Sequence, residues 1–183
     1  MQRIAPVERH AADELTGRLL DTVEQAMGSV PNILATMARS PAVLEAQLAA
    51  SGALRTVRIG DALRSAVALA VSGANACAYS GAAHTVEAKA AGLDDPAVTA
   101  ALRGESADER TAAALRFARL LIEKRGKVDD NDCADLRRAG FDDGAVVEIV
   151  AVAMFTTFTN YFNHVAQTEI DFPAVAMPPN DPS

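Results

Sequence analysis

The stretch LRSAVALAVSGANACAYSGAAHTVEAKAAGL, residues 63–93, decides the fold class of this chain. Its first half is almost continuously apolar over the length of a helix, which is typical of a helix buried on several sides. Gly73 and Asn75 predict a break just before Cys77. A second helix is predicted from Cys77 to Ala91, and Gly92 provides the C-terminal stop. This pair of helices predicts an all-α protein.

The remaining sequence shows the same helical pattern. Ser40 and Asp61 are predicted to cap helices, and Pro41 suits a first helical position. No segment alternates with the period of two that a half-buried strand requires. The predicted helices outside the opening stretch cover residues 12–27, 33–38, 41–54, 95–103, 107–125, 129–139 and 142–168.

The chain length of 183 residues fits a single domain. We therefore expect one all-α domain over residues 1–183. Its C-terminal tail, from about 170 to 183, carries four of the eight prolines and is predicted to be extended.

The charge distribution argues against a nucleic-acid partner. The net charge is −7, and arginines and lysines are interleaved with acidic residues instead of forming a basic face. The N-terminal segment MQRIAPVERHAADEL has no apolar signal-peptide core. The most apolar run, residues 144–158, is interrupted by Glu148 and is shorter than the ~18–20 residues of a membrane span. We expect a soluble cytoplasmic protein without a membrane partner.

A candidate thiol site lies at the start of the second helix. Cys77, Ser80 and His84 are spaced by three and four residues, so they share one helical stripe. Cys77 would lie at a helix N-terminus, where backbone amides and the macrodipole favour a thiolate. The alternative is a buried cysteine and a hydrogen-bonded histidine with no chemical role.

A second polar group lies near the C-terminus in NYFNHVAQTE, where an apolar helix is interrupted by Asn160, Asn163, His164 and Gln167. These side chains either join helices or subunits by hydrogen bonds, or face the thiol pocket, for which Tyr79 is a further candidate. His84 and His164 have no third ligand at regular spacing, so we expect no metal site. No nucleotide-binding glycine motif is present, and we expect no cofactor.

Residues 63–93 resemble the signature of the alkylhydroperoxidase D / carboxymuconolactone decarboxylase family. The segments SVPNILATMARSPAVLEA, TAAALRFARLLIEKRG and FTNYFNHVAQTEIDFP extend the resemblance over nearly the whole chain. The resemblance implies an all-α alkylhydroperoxidase D-like helical bundle that assembles as a trimer or hexamer. It also implies a peroxidase site built from a Cys-x-x-Cys pair, a nearby histidine and an upstream glutamate.

The chain matches that site only in part. Cys77 stands at the first cysteine and His84 at the histidine. Ser80 replaces the second cysteine, which attacks peroxide in the peroxidase members, and Ser65 replaces the glutamate of the proton relay. A serine forms neither a disulfide nor a sulfenic acid, and a hydroxyl is no base near neutral pH. Cys133 lies in an acidic segment and is not expected to replace the lost cysteine.

Three functional hypotheses follow from this partial match. The first is a weak thiol-dependent hydroperoxidase in which Cys77, His84, Ser80 and Ser65 form the site and an external thiol is the reductant. The second is a lactone decarboxylase, which needs a base and an anion-binding group. The third is a non-enzymatic homo-oligomer that binds a small apolar ligand.

Overall fold

The computed structural model describes residues 2–179, and over that range the chain forms nine α-helices without a β-strand. The predicted all-α class is confirmed. A single turn of 3₁₀-helix at Arg9–Ala11, which was not predicted, precedes the first α-helix. The helices are α1 Glu14–Met27, α2 Asn32–Met37, α3 Pro41–Leu54, α4 Asp61–Ala74, α5 Ala78–Ala90, α6 Asp95–Leu102, α7 Glu109–Glu123, α8 Asp130–Arg138 and α9 Asp143–Ala166.

The observed N-termini of α4 and α3 differ from two of the predicted helix caps. Asp61 is the first residue of α4, not its cap; the cap position belongs to Gly60, whose positive φ of 83° suits glycine. The Asp61 carboxylate instead pairs with Arg64 at 3.1 Å. Ser40 precedes α3 without a side-chain capping bond, although Pro41 starts the helix as predicted.

Helix α4 lies at the centre of the larger hydrophobic core. It packs against α5, α6, α7 and α9, and nearly every residue from Ala66 to Ser72 is shielded from solvent. Gly73 permits the close approach of α6, because a Cβ at this position would lie 1.8 Å from the backbone oxygen of Leu102. The predicted burial of this helix on several sides is therefore correct.

A second, smaller core joins the N-terminal helices. It contains Leu20 and Val23 of α1, Leu34 and Met37 of α2, and Leu44 of α3. Helix α9 contributes to both cores, since its N-terminal half packs into the larger one and its C-terminal half contacts the smaller one. The junction between the two cores contains the cavity described below.

Helix α9 has an exposed apolar face. By length and composition alone this helix could cross a membrane. One third of its most apolar 18-residue segment is buried within the fold. Glu148, which interrupts its apolar run, accepts a hydrogen bond from the Ile59 amide at 3.0 Å. The large apolar side chains of α9 that remain exposed are Val147, Met154, Phe155, Phe158, Tyr161 and Val165.

The segment after α9 is tied back to the bundle. The Asp171 carboxylate accepts hydrogen bonds from the backbone N–H of Asn32 and from the Tyr79 hydroxyl, each at 2.7 Å. Phe172 contacts Tyr79 edge to face, with ring centroids 5.6 Å apart. Residues 168–179 form no helix, and the end of the predicted extended tail, 180–183, lies outside the described residues.

Candidate functional site

A cavity of about 390 Å³ lies where α3, α4, α5 and α9 meet the tail. Its wall is largely apolar and includes Ile33, Leu34, Val152, Phe155 and Phe172. A volume in this range suits a small organic molecule. The polar residues in the wall are Gln47, Ser51, Arg55, Arg64, Tyr79, Ser80, His84, Glu87, Thr156 and Thr159.

Helix α5 brings Ser80 and His84 to the cavity wall but leaves Cys77 behind it. Cys77 occupies the N-cap position of α5 and is only 1% exposed. Its Sγ lies 3.4 Å from the Ser80 Oγ and 3.8 Å from the backbone oxygen of Asn160. Ser80, which replaces the expected second cysteine, is therefore the group through which the thiol contacts the wall.

Two buried amides of α9 complete the surroundings of the thiol. The Asn163 Nδ2 donates to the Ser80 Oγ at 3.3 Å, and the Asn75 Nδ2 donates to the Asn160 Oδ1 at 3.0 Å. The Asn160 Nδ2 and the Asn163 Oδ1 are buried without a partner among residues 2–179. Asn160 contacts the thiol through its backbone oxygen, whereas its side chain joins Asn75, and neither Asn160 nor Asn163 lines the cavity. His164 is exposed and does not line the cavity.

Ser65 is separate from this group. It is fully buried in α4, its hydroxyl has no hydrogen-bond partner among the described residues, and it does not line the cavity. The hydroxyl at this position therefore forms no hydrogen bond with Cys77, Ser80 or His84.

Glu87 supplies a carboxylate that the sequence reasoning missed. Its Oε2 lies 3.1 Å from the His84 Nδ1 and 3.5 Å from the Arg64 Nη1. The three-residue spacing of His84 and Glu87 on one helix was the available signal. Burial raises the pKa of Glu87, but the His84 hydrogen bond and the nearby charges of His84, Arg64 and Arg55 outweigh it and lower the pKa to about 2.

Tyr79 belongs to the wall of the cavity and anchors the tail. Its hydroxyl donates to Asp171 and accepts from the Ile33 amide at 3.1 Å. Burial raises the pKa of the Tyr79 hydroxyl well above its ordinary value, so the side chain stays protonated at neutral pH. Tyr79 therefore acts here as a structural hydrogen-bond donor.

Across residues 2–179, no group of three or more histidine, cysteine, aspartate or glutamate side chains is arranged to hold a metal ion. Cys77 and Cys133 are both free thiols. The chemistry available at the cavity is consequently that of a thiol, a serine hydroxyl, an imidazole–carboxylate pair and two guanidinium groups.

Comparison with known proteins gives a family match over part of the chain. Residues 41–123 match the model of the carboxymuconolactone decarboxylase family. The resemblance inferred from the sequence is thereby confirmed for this segment, which runs from the start of α3 to the end of α7. The matched segment contains Cys77, Ser80, His84 and Glu87. No curated protein sequence matches the chain.

Solved structures share the whole architecture. A peroxidase-related protein with an alkylhydroperoxidase AhpD core, from Ralstonia eutropha JMP134, is 22% identical with a TM-score of 0.83, covering 93% of this chain and 92% of that one. A peroxidase-related protein from Silicibacter sp. TM1040 is 24% identical with a TM-score of 0.79, covering 91% of each chain. A cysteine-to-alanine variant of the debrominase Bmp8 in complex with 2,3,4-tribromopyrrole is 23% identical with a TM-score of 0.76, covering 92% and 91%. The chain therefore has the AhpD-like fold.

Proposed function

We propose that the protein reduces small, mainly apolar hydroperoxides in this cavity, with Cys77 as its single redox thiol. The observation that carries the proposal is the 3.4 Å contact between the Cys77 Sγ and the Ser80 Oγ, which connects a buried thiol to the cavity wall beside His84. The AhpD-like fold is consistent with this class of chemistry.

Ser80 joins the Cys77 thiol to the polar side chains of α9. The Cys77 Sγ donates to the Ser80 Oγ, which also accepts from the Asn163 Nδ2. Reaction with a peroxide requires the thiolate, so the thiol must first lose its proton to a base in the cavity wall. A rotation of the Ser80 side chain would open the route from the cavity to the sulfur.

His84 is the proton carrier in the proposed cycle. The Cys77 thiol first gives its proton to His84. The resulting thiolate attacks the terminal peroxide oxygen, the O–O bond breaks, and His84 returns the proton to the departing alkoxide to give an alcohol. Cys77 is left as a sulfenic acid. One external thiol condenses with the sulfenic acid, which releases water and forms a mixed disulfide. A second external thiol then attacks the mixed disulfide, which releases the Cys77 thiol and a disulfide of the two external thiols.

Weak turnover is expected from this arrangement. Cys77 is buried behind Ser80, and a serine in the second position cannot close an intramolecular disulfide. The reductant must therefore be an external thiol. We further propose that the chain works as a soluble cytoplasmic homo-oligomer, a trimer or hexamer, in which the exposed apolar face of α9 is covered.

Steady-state consumption of cumene hydroperoxide with dithiothreitol tests the proposal. We expect Cys77→Ser to abolish turnover and the matched control Cys133→Ser to retain it. A sulfenic acid at Cys77 should be trapped by dimedone and located by mass spectrometry. Turnover that survives Cys77→Ser, or none in the folded parent protein, would remove the thiol mechanism.

A lactone decarboxylase is the second candidate, and one observation favours it. The Glu87 carboxylate contacts the His84 Nδ1 and so orients the imidazole, an arrangement suited to a general base. Arg64 and Arg55 provide anion-binding groups in the same cavity wall. Decarboxylation of a carboxylated lactone would be independent of thiols, would persist in Cys77→Ser and would be lost in His84→Gln. If neither substrate is turned over, the non-enzymatic ligand-binding hypothesis takes their place.

A further inference from the structure

We infer that the cavity binds a medium-chain carboxylic acid, whose carboxylate is held on α3 by Arg55 and Ser51. The inference rests on the proposed function, because it places the ligand in the cavity where hydroperoxides would be reduced. It further specifies the peroxidase substrate as the hydroperoxide of such an acid. Binding of the acid itself requires neither the peroxide group nor Cys77.

A polar stripe on α3 faces the cavity. Gln47, Ser51 and Arg55 are each four residues apart, so they follow one face of the helix, and all three line the cavity. The Gln47 Nε2 donates to the Ser51 Oγ at 2.9 Å, which leaves the Ser51 hydroxyl proton available to an acceptor in the cavity. The Arg55 guanidinium lies next along the same stripe and offers further donors.

The charge of the cavity wall is positive although the chain as a whole carries −7. Two guanidinium groups, Arg55 and Arg64, line the cavity together with one carboxylate, Glu87. Arg64 is paired with Glu87 and Asp61, whereas Arg55 forms no ion pair with any residue in the range 2–179. The charge of Arg55 also contributes to the lowered pKa of Glu87. Arg55 is therefore the cation left to bind an anionic ligand.

The geometry of α5 sets the length of the ligand. Ser80 and Glu87 are seven residues apart, which corresponds to about 10 Å along the helix axis. Ser80 and Glu87 therefore mark two points of the cavity wall about 10 Å apart. The intervening wall is largely apolar, so an alkyl chain is favoured over a polar body. A medium-length chain such as that of octanoate spans the distance within the cavity volume of about 390 Å³.

Binding of octanoate and of its uncharged analogue octanamide to the full-length protein tests the inference. Isothermal titration calorimetry would give the affinities, and amide chemical-shift changes would locate the site on α3 and α5. We expect octanoate to bind more tightly, and Arg55→Gln to weaken octanoate roughly tenfold without changing octanamide. Arg103→Gln removes an exposed arginine outside the cavity and is the matched control.

The outcomes separate this inference from the peroxidase proposal. Octanoate binding that is unchanged in Cys77→Ser supports the inference even if hydroperoxide turnover is absent. Equal affinities for octanoate and octanamide, equal losses in Arg55→Gln and Arg103→Gln, or no octanoate binding at all would overturn it. Rising ionic strength should weaken octanoate binding in the parent protein more than in Arg55→Gln.

Discussion

Replacing Glu87 by glutamine should destabilise the protein in a pH-dependent way. The carboxylate contacts the His84 Nδ1 at 3.1 Å and the Arg64 Nη1 at 3.5 Å, and its pKa is about 2 against an ordinary value of 4.5. The folded state therefore favours the charged form. The resulting stabilisation is complete above the unfolded pKa of 4.5 and is lost as the pH falls toward about 2.

The size of the expected stability loss follows from the pKa difference of Glu87 between the folded and unfolded states and from the solvent exposure of its side chain. The lowered pKa corresponds to an upper limit of about 3 kcal/mol in the free energy of unfolding. The Glu87 side chain is 37% exposed, so solvent screening reduces the expected loss at pH 7 to about 1–2 kcal/mol. For a chain of this length, that loss lowers the Tm by roughly 2–8 °C.

Urea unfolding of the parent and Glu87→Gln at pH 7, 5 and 3 measures this effect. We expect the difference in unfolding free energy to be larger at pH 7 and pH 5 than at pH 3, because the carboxylate becomes protonated as the pH falls below 4.5. Glu123→Gln is the control, since it breaks an exposed pair with Arg119 at 3.7 Å and should change stability by less than about 0.5 kcal/mol. A difference between parent and Glu87→Gln that is independent of pH would refute the ionic origin of the stabilisation.

Three further changes have equally defined outcomes. Gly73→Ala should lower the free energy of unfolding, measured in urea, by about 1–3 kcal/mol because its methyl group would collide with the backbone oxygen of Leu102. Gly52→Ala, on an open helix face, should raise it by about 0.5–1 kcal/mol, and similar effects of the two changes would contradict the packing. Ser80→Cys should raise hydroperoxide turnover with a dithiol, and the added Cys77→Ala should abolish that gain; a folded Ser80→Cys variant without any gain would argue against a peroxide route to this wall. Sedimentation at micromolar concentration should show a homo-oligomer that Phe158→Asp dissociates, and a monomeric parent protein would disprove the proposed interface on α9.

The sequence by itself determined the helices and the local order of the site. The apolar run of α4, the break before Cys77 and the stop at Gly92 are local signals, and they predicted the two central helices correctly. The stripe of Ser80 and His84 could also be predicted, because residues three and four apart share a helix face wherever the helix lies. The Glu87 contact to His84 follows the same rule and was available from the sequence, although the reasoning did not use it.

Only the tertiary structure decided which side chains meet and which reach the cavity. Asn163 donates a hydrogen bond to Ser80 across 83 positions of sequence. Arg55 shares a wall with Glu87 because α3 and α5 both line the same cavity. Cys77 lies behind the cavity wall and Ser65 does not line the cavity, because the burial of a side chain depends on which helices pack over it. Helical periodicity fixes the face on which a residue lies, but the packing of distant helices fixes what that face contacts.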